Sequence, residues 1–529
     1  MSLTRPPYFE QIQDSAQRRW DQLEGDEEIA APWWLLFRQV QNPRHVLSEL
    51  LQNADDAGAT WARASVVDGT FVFEHNGHDF TEDEFRSLCR FGFSNKRRLL
   101  TIGFRGIGFR SVFSLGDVVR VAAPSLAIRF ERNRFTEPIW EPDVSINTHT
   151  KISVPISDPE KISELEGQLE AWGRSAHPLL FFQSVQELVL KEKSIRTEVL
   201  GPGPTPFSER RVLAGEEVIV FRDELQPFPA DCLAEIRSER GDPNLELPPC
   251  EVILVAGKEA KNRLFVVLPT DVILPLPVSC HAPFVQDPAR ERIKEPSVSP
   301  TNRWLLRRLG TSLAKTMLIW LSEEQPSMMA RSEAYRLLPE TPLVVGDGLS
   351  ETCTRFIQAA FREEISKRRV LLCTDGNLRG KNNTASLPAP VVATWGDDVA
   401  RTVFAPEKEA LLAHEVSKAA LTRLLAWDLI QIISPSDVLG RLQDQTAPPP
   451  PCPSELQALT RLWDYAQSHI EKERWKWLSW WTQATVIPVA GSRHLSRACD
   501  VVVIPTKPRD CPEEDWQFLL ERLFVEMSG

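Results

Sequence analysis

Arg44-His45-Val46-Leu47-Ser48-Glu49-Leu50-Leu51-Gln52-Asn53-Ala54-Asp55-Asp56-Ala57, followed by Gly58, reads as one helix closed by a glycine. Within it Glu49, Asn53 and Asp56 stand at i, i+4 and i+7 and share one stripe, while Leu47, Leu50, Leu51 and Ala54 take much of the remaining surface. A mostly apolar helix therefore presents a carboxylate, a carboxamide and a second carboxylate together. Polar groups removed from water need partners, and a hydrated metal with a polyphosphate supplies them. The alternative is the ordinary polar face of a surface helix.

The flanking segments alternate helix and strand signals. Residues 1–25 read as a polar strap or short helix, and Trp33, Trp34, Leu36, Phe37 and Val40 are spaced for a buried helix that Pro43 interrupts. Residues 62–67 and 70–74 are apolar strands joined by Asp68-Gly69, a hairpin turn that needs positive φ. Thr81-Glu82-Asp83-Glu84 is a capping box. Gly103, Gly106 and Gly108 in Gly103-Phe104-Arg105-Gly106-Ile107-Gly108-Phe109 permit close backbone approach, so that amides can cradle phosphate oxygens. A plain turn is the other reading, and the stretch has neither Walker nor Rossmann spacing. Strands return at 118–122, 126–130 and 151–156. The expected class is α/β, a sandwich with helices on one face of a largely antiparallel sheet.

The helix and the glycine stretch, in this order and with a hairpin and a capped helix between them, resemble the first motif and the lid motif of the GHKL ATPase superfamily (gyrase, the ninety-kilodalton heat-shock chaperones, histidine kinases and MutL). The resemblance implies a two-layer α/β sandwich of the Bergerat type that binds ATP and Mg²⁺. It makes Glu49 the general base that orients water, with Mg²⁺ reached through that water. Asn53 becomes the side-chain ligand of Mg²⁺, and Asp56 a support of the nucleotide pocket. The segment of Gly103, Arg105, Gly106, Ile107, Gly108 and Phe109 holds the β- and γ-phosphates. Lys96, in Gly92-Phe93-Ser94-Asn95-Lys96, matches a lysine that approaches the phosphates, and Thr150 matches a threonine near adenine. Read on their own, Lys96 is equally a solvated lysine and Thr150 an ordinary strand residue.

The superfamily's second motif, Asp-x-Gly-x-Gly, corresponds here to His75-Asn76-Gly77-His78-Asp79-Phe80, so His75 stands at the adenine-binding aspartate. A neutral histidine accepts one hydrogen bond but does not reproduce a carboxylate; Asp79 or a water is the expected substitute. His75 and His78 as a metal pair lack an evident third ligand. His-Asn-Gly-x-x-Phe-Thr, Gly-Phe-Ser-x-Lys-Arg and Gly-Phe-x-Gly-Ile-Gly-Phe-x-Ser-Val-Phe are similar to the sacsin-like and NO VEIN-like branch, which commonly lacks that aspartate. Asp287-Pro288-Ala289-Arg290-Glu291-Arg292-Ile293 resembles the catalytic loop of the chaperone middle domain. This implies that Arg290, with Arg292 as competitor, meets the γ-phosphate; a surface Arg/Glu cluster is the other reading.

The 529 residues suffice for several packed units. Expected divisions are an N-terminal strap (1–25), an ATP-binding domain (26–157), an α+β middle domain (158–300), a helical and α/β region (301–445), a proline-rich linker (446–453) and a C-terminal α/β module (454–529). Residues 370–376 and 484–491 look loosely alike, each an apolar strand running into a glycine turn. The net charge of −12 argues against a dedicated duplex-DNA binder. Residues 86–134 nevertheless carry eleven Lys and Arg against Asp117 and Glu131, a basic strip around the lid segment. Nine cysteines without a Cys-x-x-Cys pair, no window near the ~20 apolar residues of a membrane helix and no secretory signal imply a cytoplasmic protein off the membrane. Of 16 tryptophans, Trp477, Trp480 and Trp481 share a helical face, read first as core and second as a partner surface. The resemblance implies a chaperone-like ATP-driven switch with slow hydrolysis. It would act on a protein client or partner subunit, as an ATP-dependent homodimer, or as the ATPase subunit of a defence assembly. The alternatives are a non-hydrolysing nucleotide sensor and a MORC- or MutL-like ATPase handling nucleic acid.

Overall fold

Three helices precede the first strand in the computed structural model: α1 (Phe9–Glu24), α2 (Glu27–Gln39) and α3 (Val46–Asp56). The structure describes residues 3–39, 41, 43, 46–90, 108–141, 148–174, 177–257, 262–287, 292–322, 326–340, 346–455, 457–470, 474–489, 491–501 and 512–514. α1 buries Phe9, Ile12, Ala16, Trp20 and Leu23, a helical stripe, and Trp20 Nε1 donates to Thr136 Oγ1 at 2.8 Å. The polar opening of the chain is thus a helix docked by one apolar face. Phe37 of α2 stacks on Phe135 at 4.1 Å, and Trp20 meets the same ring edge-on.

The local signals around α3 produce the expected elements. Gly58 has φ +69°; its N–H donates to the Asp55 carbonyl and that of Ala59 to the Ala54 carbonyl, closing α3 in a Schellman motif. Strands β1 (Trp61–Val67) and β2 (Thr70–His75) form an antiparallel hairpin, with Asp68 at φ 48° and Gly69 at φ 72°. α4 (Glu82–Leu88) opens with the reciprocal Thr81/Glu84 capping box. A 3₁₀ turn (Gly108–Ser114), β3 (Val118–Ala122), β4 (Ala127–Glu131), β5 (Ile139–Trp140), β6 (Thr150–Pro155) and α5 (Pro159–Arg174) follow.

The sheet does not stop at residue 157. β7 (Glu187–Leu190) pairs in parallel with β1, Trp61 opposite Glu187. β8 (Lys193–Pro202) pairs with β7 through its first residues and with β9 (Ser208–Leu213) through its last, with a register shift between Val199 and Gly201. Beyond β9 lie β10 (Glu216–Arg222), α6 (Ala230–Arg240), β11 (Ile253–Gly257), β12 (Arg263–Val266), β13 (Leu268–Ile273) and β14 (Ser279–His281). The strands join as β13-β12-β14-β11-β10-β9-β8-β7-β1-β2-β6-β3-β4-β5, a mixed sheet whose parallel pairs are β1/β7 and β12/β14. The segments on either side of residue 157 therefore share one hydrogen-bonded sheet. α7 (Pro300–Trp320) packs on α8 (Leu349–Ile365). The buried Arg308 of α7 ties it to the sheet region through Asp223 (2.9 Å) and the carbonyls of Cys250 and Glu224.

By its contacts the chain divides into two compact units, 1–320 with 336–367, and 321–335 with 368–529. The second is built from short pieces: an antiparallel pair (Leu371–Leu372 with Leu378–Arg379), a three-stranded parallel cluster around Thr384–Ser386, a second antiparallel pair (Thr485–Ile487 with Ser496–Arg497), and helices such as Ala458–Ile470 and Arg474–Gln483. The two loosely alike stretches thus each open a short hairpin, with Gly376 and Gly491 both at φ +80°. The proline run expected to be a linker is paired instead. Leu495 N–H donates to the Pro450 carbonyl, and Cys452 N–H to the Arg493 carbonyl, both at 2.8 Å. Proline lacks a donor, but its carbonyl and the free N–H of Cys452 still pair along an edge. Trp480 lies in this unit's core and meets Trp481 edge-on at 5.0 Å. The eight described cysteines are free thiols. Among the described residues no helix is long and apolar enough to cross a membrane.

Candidate functional site

Glu49, Asn53 and Asp56 of α3 all line one cavity of about 1490 Å³ in the first unit. The stripe is thus turned toward a concave space. Glu49 is only 8% exposed, and the 3₁₀ turn that begins at Gly108 packs across it. A Cβ placed on Gly108 would stand 1.8 Å from Glu49 Oε2, so a side chain at this position would displace the carboxylate. Phe109 lines the same cavity and meets Phe130 edge-on at 6.2 Å.

His75 of β2 and Thr150 of β6 are register partners across the ladder, and both line the cavity. Thr150 is 1% exposed and its hydroxyl has no hydrogen-bond partner. His75 Nδ1 accepts the Gly77 N–H at 3.2 Å. Burial, and secondarily the nearby His149 and His78, push the His75 imidazole down to about 4, so it is neutral at physiological pH. With Nδ1 an acceptor, the proton is assigned to Nε2, and His75 presents a donor where an aspartate would present an acceptor.

Of the other residues of that motif, His78 and Phe80 line the cavity as well, whereas Asn76, Gly77 and Asp79 do not. Asn76 Oδ1 accepts from the Thr60 and Trp61 amides and its Nδ2 donates to Thr60 Oγ1, so the side chain fastens the end of β2 to the start of β1. Gly77 lies against the end of α3, where a Cβ would come within 2.7 Å of Ala57 Cβ. Asp79 accepts from the Phe80 amide and does not line the cavity. His78 lies 3.6 Å from Glu84. Among the described residues no group of three or more His, Cys, Asp or Glu is arranged to hold a metal. Lys96, Gly103, Arg105, Gly106, Ile107 and Arg290 lie outside the described residues. Arg292 is exposed, and its carbonyl accepts the Asp287 N–H at 3.0 Å.

Three further residues matter that carry little signal in the sequence. Asp55, beside the stripe, accepts from the amides of Gln183, Ser184 and Val185 at 3.0, 2.7 and 2.9 Å, bolting the end of α3 to the segment before β7. Arg110 is fully buried among Phe109, Phe130 and Phe135, and donates to the Leu88 carbonyl. Burial pushes its guanidinium down to about 10. Its one signal in the sequence is the run of aromatic residues around it. His281 of β14 also lines the cavity, stacks on Phe181 at 4.8 Å and has no partner at either ring nitrogen. Burial pushes it down to about 3.

The fold and site define a mixed α/β protein with a large cavity walled by a carboxylate-bearing helix and a glycine-led turn. No family model matches the chain. A segment of it is similar to human sacsin, 27% identical over 118 residues, covering 18% of this chain and 3% of sacsin.

Proposed function

We propose that the first unit is an ATP-dependent molecular switch of the GHKL superfamily, in its sacsin-like branch, with a Bergerat-type sandwich at its N-terminal end. The observation that carries this reading is the approach of Gly108 to Glu49, a backbone cradle that any Cβ would fill, directly over a buried carboxylate. The unpartnered hydroxyl of Thr150, which lines the same cavity, and the local likeness to sacsin also support it.

In this reading Glu49 orients the attacking water and takes its proton, and the low accessibility of its carboxylate keeps bulk water from competing. Asn53 would offer its side-chain oxygen to Mg²⁺, Glu49 would reach the ion through water, and Asp56 would support the same pocket. Bound Mg²⁺ supplies charge neutralisation along the triphosphate. The backbone of residues 103–108 binds phosphate oxygens, and Lys96 and Arg290 add positive charge. At the base end, His75 donates from Nε2 and Thr150 contributes its hydroxyl. Closure over ATP changes the contacts this unit offers to a protein client, a partner subunit or a second copy of the chain. Asp55 is placed to transmit the change, since it joins α3 directly to the segment leading into β7.

The test is phosphate release by the full chain with ATP and Mg²⁺, comparing wild type with Glu49→Ala. The expected result is ATP binding by both and release by wild type alone. Equal release would sink the hydrolytic role of Glu49. Binding without release by either would leave a nucleotide sensor in place of an ATPase.

A further inference from the structure

The second unit holds a cavity of its own, about 440 Å³, lined by Arg331, Arg369 and Arg379 with Ser322, Asn377 and Glu409. Arg331 is 6% exposed. Its Nε donates to the Leu321 carbonyl at 2.8 Å and its Nη1 to the Gly376 carbonyl at 2.6 Å, which fixes the plane of the guanidinium. Its Nη2 is buried without a partner, and so is the hydroxyl of Ser322, which lines the same cavity. A charged donor left unpaired out of water is costly, more so than a neutral one. Arg379 is differently placed: Asp375 (2.7 Å) and Glu409 (3.2 Å) both hold it, and Asp375 is kept well below the usual carboxylate range chiefly by that arginine. Among the described residues neither Arg331 nor Arg369 is in an ion pair.

We infer that this cavity binds a phosphate-bearing small molecule, with the phosphate group accepting from Arg331 Nη2, Arg369 and the Ser322 hydroxyl. Two unneutralised guanidinium groups match the charge of about −1.5 to −2 on a phosphate monoester. Planar guanidinium forks also suit phosphate oxygens better than point charges do. The volume lies within the range of roughly 300–1,000 Å³ typical of small-molecule pockets, so space remains beyond the phosphate for the rest of a ligand. Arg379, braced by two carboxylates, forms a fixed wall beside it. This site is independent of the nucleotide site proposed for the first unit.

The experiment is calorimetric titration of the full chain with inorganic phosphate and, separately, with glycerol phosphate. Saturable binding is expected, tighter for the monoester if the remaining volume is used. Arg369→Ala, at an exposed position, should weaken binding at least about tenfold with an unchanged unfolding midpoint. Arg331→Lys keeps the charge but loses the fork, and should weaken it as well. Asn53→Ala, in the other cavity, should leave it unchanged. No saturable heat with either probe, equal affinity in Arg369→Ala, or loss of binding in Asn53→Ala would each overturn the proposal. Binding of inorganic phosphate with exclusion of glycerol phosphate would also overturn it, since the ligand would then be the free anion.

Discussion

The two units solve the same packing problem with different materials. The first runs strands of up to ten residues edge to edge into one sheet, and hangs its cavity on α3 and the β2/β6 ladder. The second has strands of two or three residues, held together by helices and by side chains that reach across to backbone groups. Tyr335 is one such anchor, since its hydroxyl donates to the Val370 carbonyl at 2.7 Å and accepts the Leu372 N–H at 2.9 Å. Arg331 does the same for Leu321 and Gly376. Long ladders place a site by register. Short pieces place one by individual polar anchors, so single substitutions should act on different properties in the two units.

The largest expected effect is at the glycine over Glu49. Gly108→Ala puts a methyl group onto the carboxylate, and phosphate release in the presence of ATP should fall about 100-fold or more, measured against wild type. Retention of full turnover would break the idea that this close approach is functional. Next is Asp55→Ala, which strips the acceptor from three backbone amides; about 3 kcal/mol of stability should be lost, read by denaturant titration. Hydrogen exchange should rise at residues 183–185 while the amide of Leu372 in the second unit stays protected.

Acid separates the units next. His75 and His281 lie at about 4 and 3, below the ordinary 6.5, because burial disfavours their charged forms. Between those values and 6.5 the unfolded chain binds protons that the folded one refuses, so stability rises with pH. The contribution is fully present above about pH 6.5 and declines as pH falls toward 4, by on the order of 3 kcal/mol for each histidine. His75 and His281 both belong to the first unit, so the dependence is expected in the unfolding of that unit. A pH series of melting curves on wild type and His281→Phe checks the assignment, since the variant should flatten the slope. The smallest effect is Tyr335→Phe. It should cost about 1–2 kcal/mol, seen as faster exchange at Leu372.

Much of the first unit was legible because its signals are local. The Gly58 stop, the Asp68-Gly69 turn and the Thr81/Glu84 box each act within a few residues, and the backbone has few ways to satisfy them. The stripe of Glu49, Asn53 and Asp56 was equally readable, since helical spacing alone puts three such residues on one face. His75 was legible as a departure from the motif that the stretch resembles but not as a donor, which depends on how Gly77 turns back onto Nδ1. In the second unit short strands carry too few residues for a period to show.

Residue order alone therefore specified the local elements of the first unit and the set of side chains on the face of α3. Long-range packing settled the rest. It set β7 beside β1 and extended the sheet past residue 157. It brought Asp55 to amides 128 to 130 residues away and paired the proline run with residues 493–495. It also left Arg331 Nη2 buried without an acceptor and set Arg331 and Arg369 around one cavity. Contacts within a turn are specified by the residues of that turn, whereas contacts across the chain must first offset the entropy of closing long loops, so they form only where the whole packing holds both partners in place.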